Sequence, residues 1–404
     1  MEEPGLGSKF SWIFFALNAK PTSMRRAIAE RLATKESVVI VDQPVSVLRG
    51  REVPGFKQRR VPLTSTETSW HYRPLHFPEQ LPGIGKAARL LNRRLLEREL
   101  DRLVPPSQPR VVCYDSPSQY YLAKELHDDI SVYVAIDDRT LRVTGVPIKG
   151  EIEAEKKLLQ RVDKIVCVSE TLAETLSSRI PSSHTKPVHV LSNGYDERMF
   201  DPQQNYSEPE ILKRIPRPRV LVAGHVSNRI DWEGIRRASV LRPQWTWVFL
   251  GPTDPGMEEI ISHDLREHRF WHPQVPLVNV PAWIRHCDAC AVPYRLNAFT
   301  RASSPLKAIE YLAMGAFLLS TRVPALEQYK DVTSWVEEGN GATYASALDK
   351  AISQASDPLH VAASILAVRN DSWEKKAEQF KEIVFGIQPS LTSASQARAV
   401  ISCN

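Results

Sequence analysis

The chain has 404 residues, more than the roughly 250–300 at which a single hydrophobic core stops growing, so we expect two domains. The hydrophobic fraction of 42% and the charged fraction of 25% are typical of globular proteins and exclude a fibrous or disordered chain. A net charge of +5 is small for this length and does not indicate a nucleic-acid partner. The odd number of cysteines, five, argues against a disulfide framework and favours a reducing cytoplasm.

The N-terminal apolar run does not resemble a membrane anchor. It extends over only eight residues, from Phe10 to Leu17, and follows Glu2 and Glu3 rather than a basic segment. We therefore expect a strand there and not a signal peptide. Since no stretch approaches the roughly 18–20 apolar residues of a membrane-spanning helix, we expect a cytoplasmic protein that is soluble or peripheral.

Short apolar runs alternate with longer amphipathic stretches along most of the chain, a pattern typical of parallel sheets covered by helices. The strands predicted in the first half are 12–17, 38–42, 111–114, 132–136, 165–168 and 188–191. Those predicted in the second half are 220–223, 247–250, 277–280, 289–292 and 317–320. The predicted helices are 24–32, 86–103, 152–162, 232–241, 258–266, a segment from Pro305, and 373–385.

A polar, proline-rich stretch interrupts this alternation at residues 201–218, where we place a linker. The division is then a first domain at 1–200, a second at 219–386, and a tail at 387–404. The sequence predicts an α/β fold of two Rossmann-like, doubly wound domains that face a central cleft. The first domain has no G-x-G-x-x-G fingerprint, which disfavours a dehydrogenase and places nucleotide binding in the second domain.

Residues 301–315, RASSPLKAIEYLAMG, carry the clearest functional signal. Ser304 suits a helix N-cap, Pro305 the first helical position and Gly315 the residue just past the end. Lys307 then lies in the first turn, where the helix dipole disfavours a cation. A bound diphosphate would explain this placement, and a lysine that points into solvent is the alternative.

Glu310 follows Lys307 by three residues, so the two side chains share one face of the predicted helix. A carboxylate one turn beyond a phosphate site can accept hydrogen bonds from the two vicinal hydroxyls of ribose. The alternative is an ion pair on the protein surface.

These motifs together resemble the GT-B-fold retaining glycosyltransferases of the family 4 type, also known as glycosyl transferases group 1. The matching pieces are 192–196 with Phe200, 222–225, 249–252, 287–289 with 292–294, and 304–315. The resemblance implies a nucleoside-diphosphate sugar as donor substrate, no separate cofactor and no metal. It also implies transfer to an acceptor hydroxyl with retention of anomeric configuration.

The resemblance assigns sugar-donor binding chiefly to the second domain. The expected residues are Gly224, Arg229, Ser303, Ser304, Pro305, Leu306, Lys307 and Glu310. Arg229 and Lys307 would stabilise the leaving diphosphate and so act in catalysis. Family members usually carry two glutamates separated by seven residues; Glu310 matches the second, but Ala302 stands at the first. The contacts to the transferred sugar must therefore come from elsewhere.

Asp137 and Asp138 follow a predicted strand, so we expect them to face the cleft and orient the acceptor, with Asp138 in a catalytic role. Asn18 is expected on the same acceptor side. The alternative for the two aspartates is to cap the next turn. Two rival functions remain open, namely a nucleotide-sugar epimerase of the same fold and a catalytically silent nucleotide-sugar-binding subunit.

Basic residues crowd into one stretch of the first domain, which raises the hypothesis of peripheral contact with the inner face of a membrane or with a lipid-linked or polysaccharide acceptor. Residues 86–103 contain six basic and three acidic side chains, with Leu91, Leu95 and Leu96 as an apolar stripe. A second basic cluster lies at 49–60. A solvated basic helix whose stripe is buried in the core is the alternative.

Overall fold

The computed structural model describes residues 9–16, 23–46, 60–63, 68–77, 85–105, 107–123, 125–184, 186–254, 257, 270–271 and 275–386. Asn18, the predicted helix at 258–266, the tail at 387–404 and most of the basic cluster at 49–60 lie outside this part of the chain. No helix within the described residues is both long and apolar enough to cross a bilayer.

The first domain is built on an eight-stranded sheet in the order β10-β9-β8-β7-β1-β2-β5-β4. All neighbours in it are parallel except β4 and β5. Two short strands, β3 and β6, pair separately. The ten strands are β1 Ser11–Phe15, β2 Ser37–Val41, β3 Val45–Ser46, β4 Arg60–Pro62, β5 Trp70–Tyr72, β6 Leu75–His76, β7 Arg110–Tyr114, β8 Ile130–Ala135, β9 Lys164–Cys167 and β10 Val188–Val190.

The second domain is built on a six-stranded, fully parallel sheet in the order β13-β12-β11-β14-β15-β16. Its strands are β11 Arg219–Ala223, β12 Thr246–Leu250, β13 Phe270–Trp271, β14 Ala289–Val292, β15 Leu318–Thr321 and β16 Thr333–Val336. β11, β12, β14 and β15 are buried along their whole length, as continuous apolar runs require. The predicted pair of doubly wound domains is confirmed.

Helices connect most of the strands. Those of the first domain and the linker are α1 Met24–Leu32, α2 Gly85–Leu103, α3 Glu151–Arg161, α4 Glu170–Arg179 and α5 Glu210–Lys213. Those that follow are α6 Trp232–Leu241, α7 Val280–Arg285, α8 Ala298–Ala302, α9 Leu306–Ala313, α10 Gly341–Gln354, α11 Pro358–Ala367 and α12 Trp373–Phe385. 3₁₀ segments occupy Pro117–Tyr121, Ser182–His184, Leu277–Asn279 and Pro324–Val332.

The predicted strand at 277–280 is wrong, because this segment forms a 3₁₀ turn that leads directly into α7. Two prolines explain the difference. Pro276 precedes the turn, and Pro281 lies in the first turn of α7. A proline has no N–H for a sheet ladder but suits the start of a helix, where that N–H would have no partner.

The final helix, α12, belongs in sequence to the second domain but packs on the first. Phe380 is fully buried and lies 5.9 Å from Trp12 and 6.0 Å from Phe14, measured between ring centroids. Phe385 reaches Phe10 at 4.3 Å. The chain therefore returns to the first domain at α12. The predicted second domain, 219–386, includes this helix and so does not reflect the return.

The segment predicted as a linker, 201–218, is also more ordered than a simple tether. Leu212 in α5 and Ile215 after it are buried in the core of the second domain, together with Phe200. The prolines of this stretch thus flank a short helix that packs on the second domain.

Helix α2 differs from its predicted packing. Its buried face is formed by Ala88, Asn92, Leu96, Leu100 and Leu103. Leu91, which we expected in the apolar stripe, is 41% exposed. Membrane contact through this helix stays a prediction.

We predict that Phe380→Ala destabilises the protein by about 3–5 kcal/mol, because it leaves a cavity between α12 and β1. Leu359→Ala on α11 is the control, since Leu359 is 80% exposed. Equilibrium unfolding in guanidinium chloride measures both. A Phe380 variant as stable as the Leu359 variant would show that α12 does not hold the first domain.

Candidate active site

A pocket lies at the carboxyl ends of β11 and β14. The chain leads from β11 to β12 on one side and from β14 to β15 on the other side. Because these connections diverge, a crevice opens between β11 and β14. The pocket walls include Gly224, His225, Arg229, Tyr294 and Lys307. The structure thus brings together three residues that the sequence predicted for the diphosphate site: Gly224, Arg229 and Lys307.

Two glycine turns pack against each other beneath this pocket. Gly224 follows β11 with φ of 131°, and Gly251 follows β12 with φ of 137°. The Gly224 amide donates to the Leu250 carbonyl at 2.7 Å. A Cβ on Gly251 would lie 2.0 Å from the Gly224 carbonyl oxygen, so no side chain fits there. Both positions need glycine, and together they leave the Gly224 backbone open to the pocket.

Helix α9 brings a buried ion pair to the pocket. Lys307 Nζ lies 2.5 Å from Glu310 Oε2, as expected for side chains on one helix face, and Glu310 is only 1% exposed. Burial raises the pKa of Glu310, while the charge and hydrogen bond of Lys307 lower it. The surface ion pair considered as an alternative is therefore excluded, because Glu310 is buried and the Lys307 side chain is only 16% exposed.

Tyr311, the next residue of α9, fixes the helix to β11. Its hydroxyl oxygen accepts a hydrogen bond from the Ala223 amide at 2.7 Å, and its ring is fully buried. Because Ala223 directly precedes Gly224, this contact sets the distance between the glycine turn and the helix.

Arg229 has hydrogen-bonding capacity that its own surroundings do not use. Its guanidinium carbon lies 5.1 Å from the ring centroid of Tyr294, an arrangement that holds the cation by its flat face. Its Nε is buried and has no hydrogen-bond partner within the described part of the chain. A stacked guanidinium with free N–H groups is suited to an anion with several oxygens.

The segment before α9 is buried and differs from prediction by one residue. The helix begins at Leu306, and Pro305 takes the N-cap position without a side-chain cap. Ser303 Oγ instead donates to the Phe299 carbonyl at 2.9 Å. Ser304 is therefore not the N-cap that we expected, because the chain is extended through Ser303 and Pro305.

Asp137 lies on the first-domain side of the cleft, two residues beyond β8. Burial raises its pKa, whereas the guanidinium groups of Arg139, Arg229 and Arg25 act in the opposite direction. Arg229, whose charge acts on this carboxyl group, also lines the pocket of the second domain.

Asp138 has a different environment, and the structure does not support its predicted catalytic role. Its carboxylate accepts from the Thr140 amide at 3.0 Å and the Thr140 hydroxyl at 2.5 Å. It also accepts from Arg179 Nη1 at 3.2 Å and Nη2 at 2.9 Å. With 3% exposure and these four bonds, Asp138 caps the turn and anchors α4, which was the alternative interpretation.

His225 and Tyr294 line the pocket but were not among the predicted site residues, although both lie inside the motifs that carry the family resemblance. His225 Nε2 lies 2.5 Å from Asp254 Oδ1 at the rim of the pocket. Each of these two residues lies just past a buried strand, where side chains enter the crevice, and this position in the sequence could have identified them.

Ala302, at the position of the missing glutamate, is 2% exposed and packs with the core of the first domain. It brings no carboxylate to the pocket. A second cavity of about 420 Å³ lies where the domains meet, between Ser169 and Ser192 on one side and Glu327 and Gln328 on the other. The two domains thus face each other across a cleft.

Comparison with known proteins agrees with this arrangement. Residues 217–354 match the family described as glycosyl transferases group 1. The putative teichuronic acid biosynthesis glycosyltransferase TuaH of Bacillus subtilis (strain 168) is 24% identical over 302 residues, which cover 72% of this chain and 76% of TuaH.

Solved structures share the fold over nearly the whole chain. The α,α-trehalose-phosphate synthase (UDP-forming) of Burkholderia vietnamiensis has a TM-score of 0.70 at 12% identity, covering 94% of this chain and 99% of that one. Anabaena Alr3699/HepE, solved with UDP and glucose, has a TM-score of 0.69 at 13% identity, covering 94% and 100%.

The two facing parallel-sheet domains have the GT-B fold of these solved structures. The family match over residues 217–354 and the similarity to TuaH together support a group 1 glycosyltransferase.

We predict that Glu310→Gln changes how stability depends on pH. Because the pKa of Glu310 is raised in the folded state, the folded protein binds the Glu310 proton more tightly than the unfolded chain does. The stability that comes from this proton is lost as pH rises from the ordinary pKa of 4.5 through the folded pKa. Glutamine does not titrate, so the stability of the variant relative to wild type should increase over that range. Urea unfolding from pH 4 to pH 8 measures the difference, with exposed Glu153→Gln as control. A difference that is flat or falls with pH would contradict the assignment.

Proposed function

We propose that the protein transfers a sugar from a nucleoside-diphosphate sugar to an acceptor hydroxyl. The observation that carries this proposal is the meeting of Gly224, Arg229 and Lys307 in one pocket at the strand-order reversal of the second sheet. An open glycine backbone, a stacked guanidinium and a lysine at a helix N-terminus are three separate means of binding phosphate oxygens.

The diphosphate would lie between Lys307 and Arg229. Lys307 has three N–H donors, so it can keep its bond to Glu310 and still donate to phosphate. Arg229 offers its Nε–H, which has no partner within the described part of the chain, and its guanidinium charge. The N-terminal end of α9 adds the partial positive charge of the helix dipole.

Glu310 would recognise the ribose. Lys307 occupies its Oε2 atom, and the second carboxylate oxygen, Oε1, can accept from the vicinal hydroxyls. Because Glu310 is fixed on the rigid helix that also carries Lys307, ribose and diphosphate would be bound in a defined relative position.

Catalysis would rest mainly on electrostatic stabilisation of the leaving diphosphate. Negative charge on the departing oxygen grows in the transition state, and fixed cations stabilise it without reorganisation. Arg229 and Lys307 would supply this charge, so the proposal includes no metal and no separate cofactor.

The acceptor would approach from the first domain. We assign the orienting role to Asp137 instead of Asp138, because Asp138 is engaged by Thr140 and Arg179, whereas the charge of Arg229 in the pocket lowers the pKa of Asp137 against the effect of burial. The biosynthetic role in the name of TuaH supports a glycoconjugate or polysaccharide acceptor. Retention is part of the proposal through the family resemblance, and the anomeric configuration of the product reports it.

The solved complex of HepE with UDP and glucose supports a uridine nucleotide as the first donor to test. Incubation with UDP-, GDP- and ADP-sugars, followed by analysis of products with and without acceptor, tests the function. A new sugar product from the nucleotide sugar alone would indicate an epimerase. Binding without turnover under all conditions would indicate a silent subunit.

We predict that Arg229→Ala and Lys307→Ala each lower the turnover rate at saturating sugar donor by about 100- to 1,000-fold, since each removes a cation that would stabilise the leaving diphosphate. The rate of nucleoside-diphosphate release measures the effect. Arg295→Ala is the matched control, because Arg295 is close in sequence, 61% exposed and paired with Glu338.

Full turnover in either pocket variant would remove that residue from the proposed site. A loss as large in Arg295→Ala would mean that the effect is one of general surface charge.

A further inference from the structure

The segment that leads into α9 is bound by side chains from outside the second sheet. Ser169, at the start of α4, donates from Oγ to the Ala302 carbonyl at 2.6 Å. Asn193, beyond β10, donates from Nδ2 to the Ser304 carbonyl at 2.7 Å. Both bonds reach the few residues immediately before the helix that carries Lys307 and Glu310.

These two carbonyls need external partners. Ala302 is the last residue of α8, where carbonyl groups have no partner within the helix. The Ser304 carbonyl is not used by the first turn of α9, because the Ala308 amide donates to the Pro305 carbonyl instead, at 3.1 Å. Ser169 and Asn193 therefore satisfy groups that the second domain leaves open.

Apolar packing reinforces the same contact. Ala302 lies in the hydrophobic core of the first domain, and Leu306, the first residue of α9, packs against that core. The start of α9 is thus held between its own sheet, through Tyr311, and the first domain.

From this geometry we propose that Ser169 and Asn193 are positioning residues for the diphosphate site. They act by fixing the backbone at 302–304, three to five residues before Lys307, and not by touching the substrate. The inference rests on the proposed function and deepens it: the nucleotide site of the second domain is completed only when the first domain is docked against it.

Asn193 gives the cleaner test, since Ser169 Oγ also caps α4 by accepting from the Leu172 amide at 3.2 Å. Of the side-chain hydrogen bonds among the described residues, Asn193→Ala removes the one to Ser304. Asn92→Ala is the control, because Asn92 Nδ2 likewise donates to a backbone carbonyl of the first domain, that of Phe77, at 2.9 Å, while its Oδ1 accepts from the Phe77 amide at 2.7 Å.

Amide hydrogen exchange of the wild type and both variants tests the contact without any ligand. We expect peptides that span residues 304–314 to exchange about three- to tenfold faster in Asn193→Ala, as loss of one hydrogen bond predicts, and to be unchanged in Asn92→Ala. Equal exchange of this segment in Asn193→Ala and wild type overturns the proposal.

A double-mutant cycle then tests whether the contact acts through Lys307. Calorimetry with UDP, GDP and ADP identifies the nucleotide that wild type binds best. Asn193→Ala should weaken its affinity about three- to tenfold in the wild-type background and much less in the Lys307→Ala background. Equal weakening in both backgrounds overturns the role through Lys307.

The two measurements separate this inference from the proposed function. If wild type binds none of the three nucleotides, the proposed function fails, and hydrogen exchange alone decides whether the first domain positions the segment. If wild type binds and Lys307→Ala weakens binding, but Asn193→Ala does not, the function stands and the inference fails.

Discussion

Positive charge at the start of α9 is the constraint on which the proposed site depends. Lys307 lies in the first turn, where the helix dipole already contributes a partial positive charge, and the guanidinium of Arg229 lines the same pocket. Glu310 offsets only part of this charge, because its single carboxylate pairs with Lys307, while Arg229 and the helix end add further positive charge. A bound diphosphate is the kind of anion that would balance the pocket.

The fold places these charges through two backbone turns and through side-chain hydrogen bonds that fix α9. Gly224 and Gly251 let two strand ends approach each other, and Tyr311 then fixes α9 at hydrogen-bonding distance from β11. Side chains of the first domain donate hydrogen bonds to the backbone at 302–304, and α12, which follows the second domain in sequence, packs on the first domain. The site is therefore coupled to the contact between the domains, which is consistent with a substrate that must be enclosed between them.

The sequence pattern predicted the features that depend on residues close together in the chain. Buried strands read as continuous apolar runs, and the spacing of Lys307 and Glu310 placed them on one helix face. The wrong strand at 277–280 overlooked the local signals of Pro276 and Pro281, whereas two other failures depend on contacts distant in sequence. The amphipathic pattern of residues 373–385 shows that one face is buried but not that Phe380 packs on Trp12. Asp138 is engaged by Arg179, 41 residues away, which no local pattern reveals.

A crystal structure of the protein with a nucleoside diphosphate, UDP first, tests the central claim most directly. The account predicts a diphosphate within hydrogen-bonding distance of Lys307, Arg229 and the Gly224 backbone, with ribose hydroxyls against Glu310. A nucleotide bound in the first domain, or a diphosphate that contacts neither Arg229 nor Lys307, would contradict it.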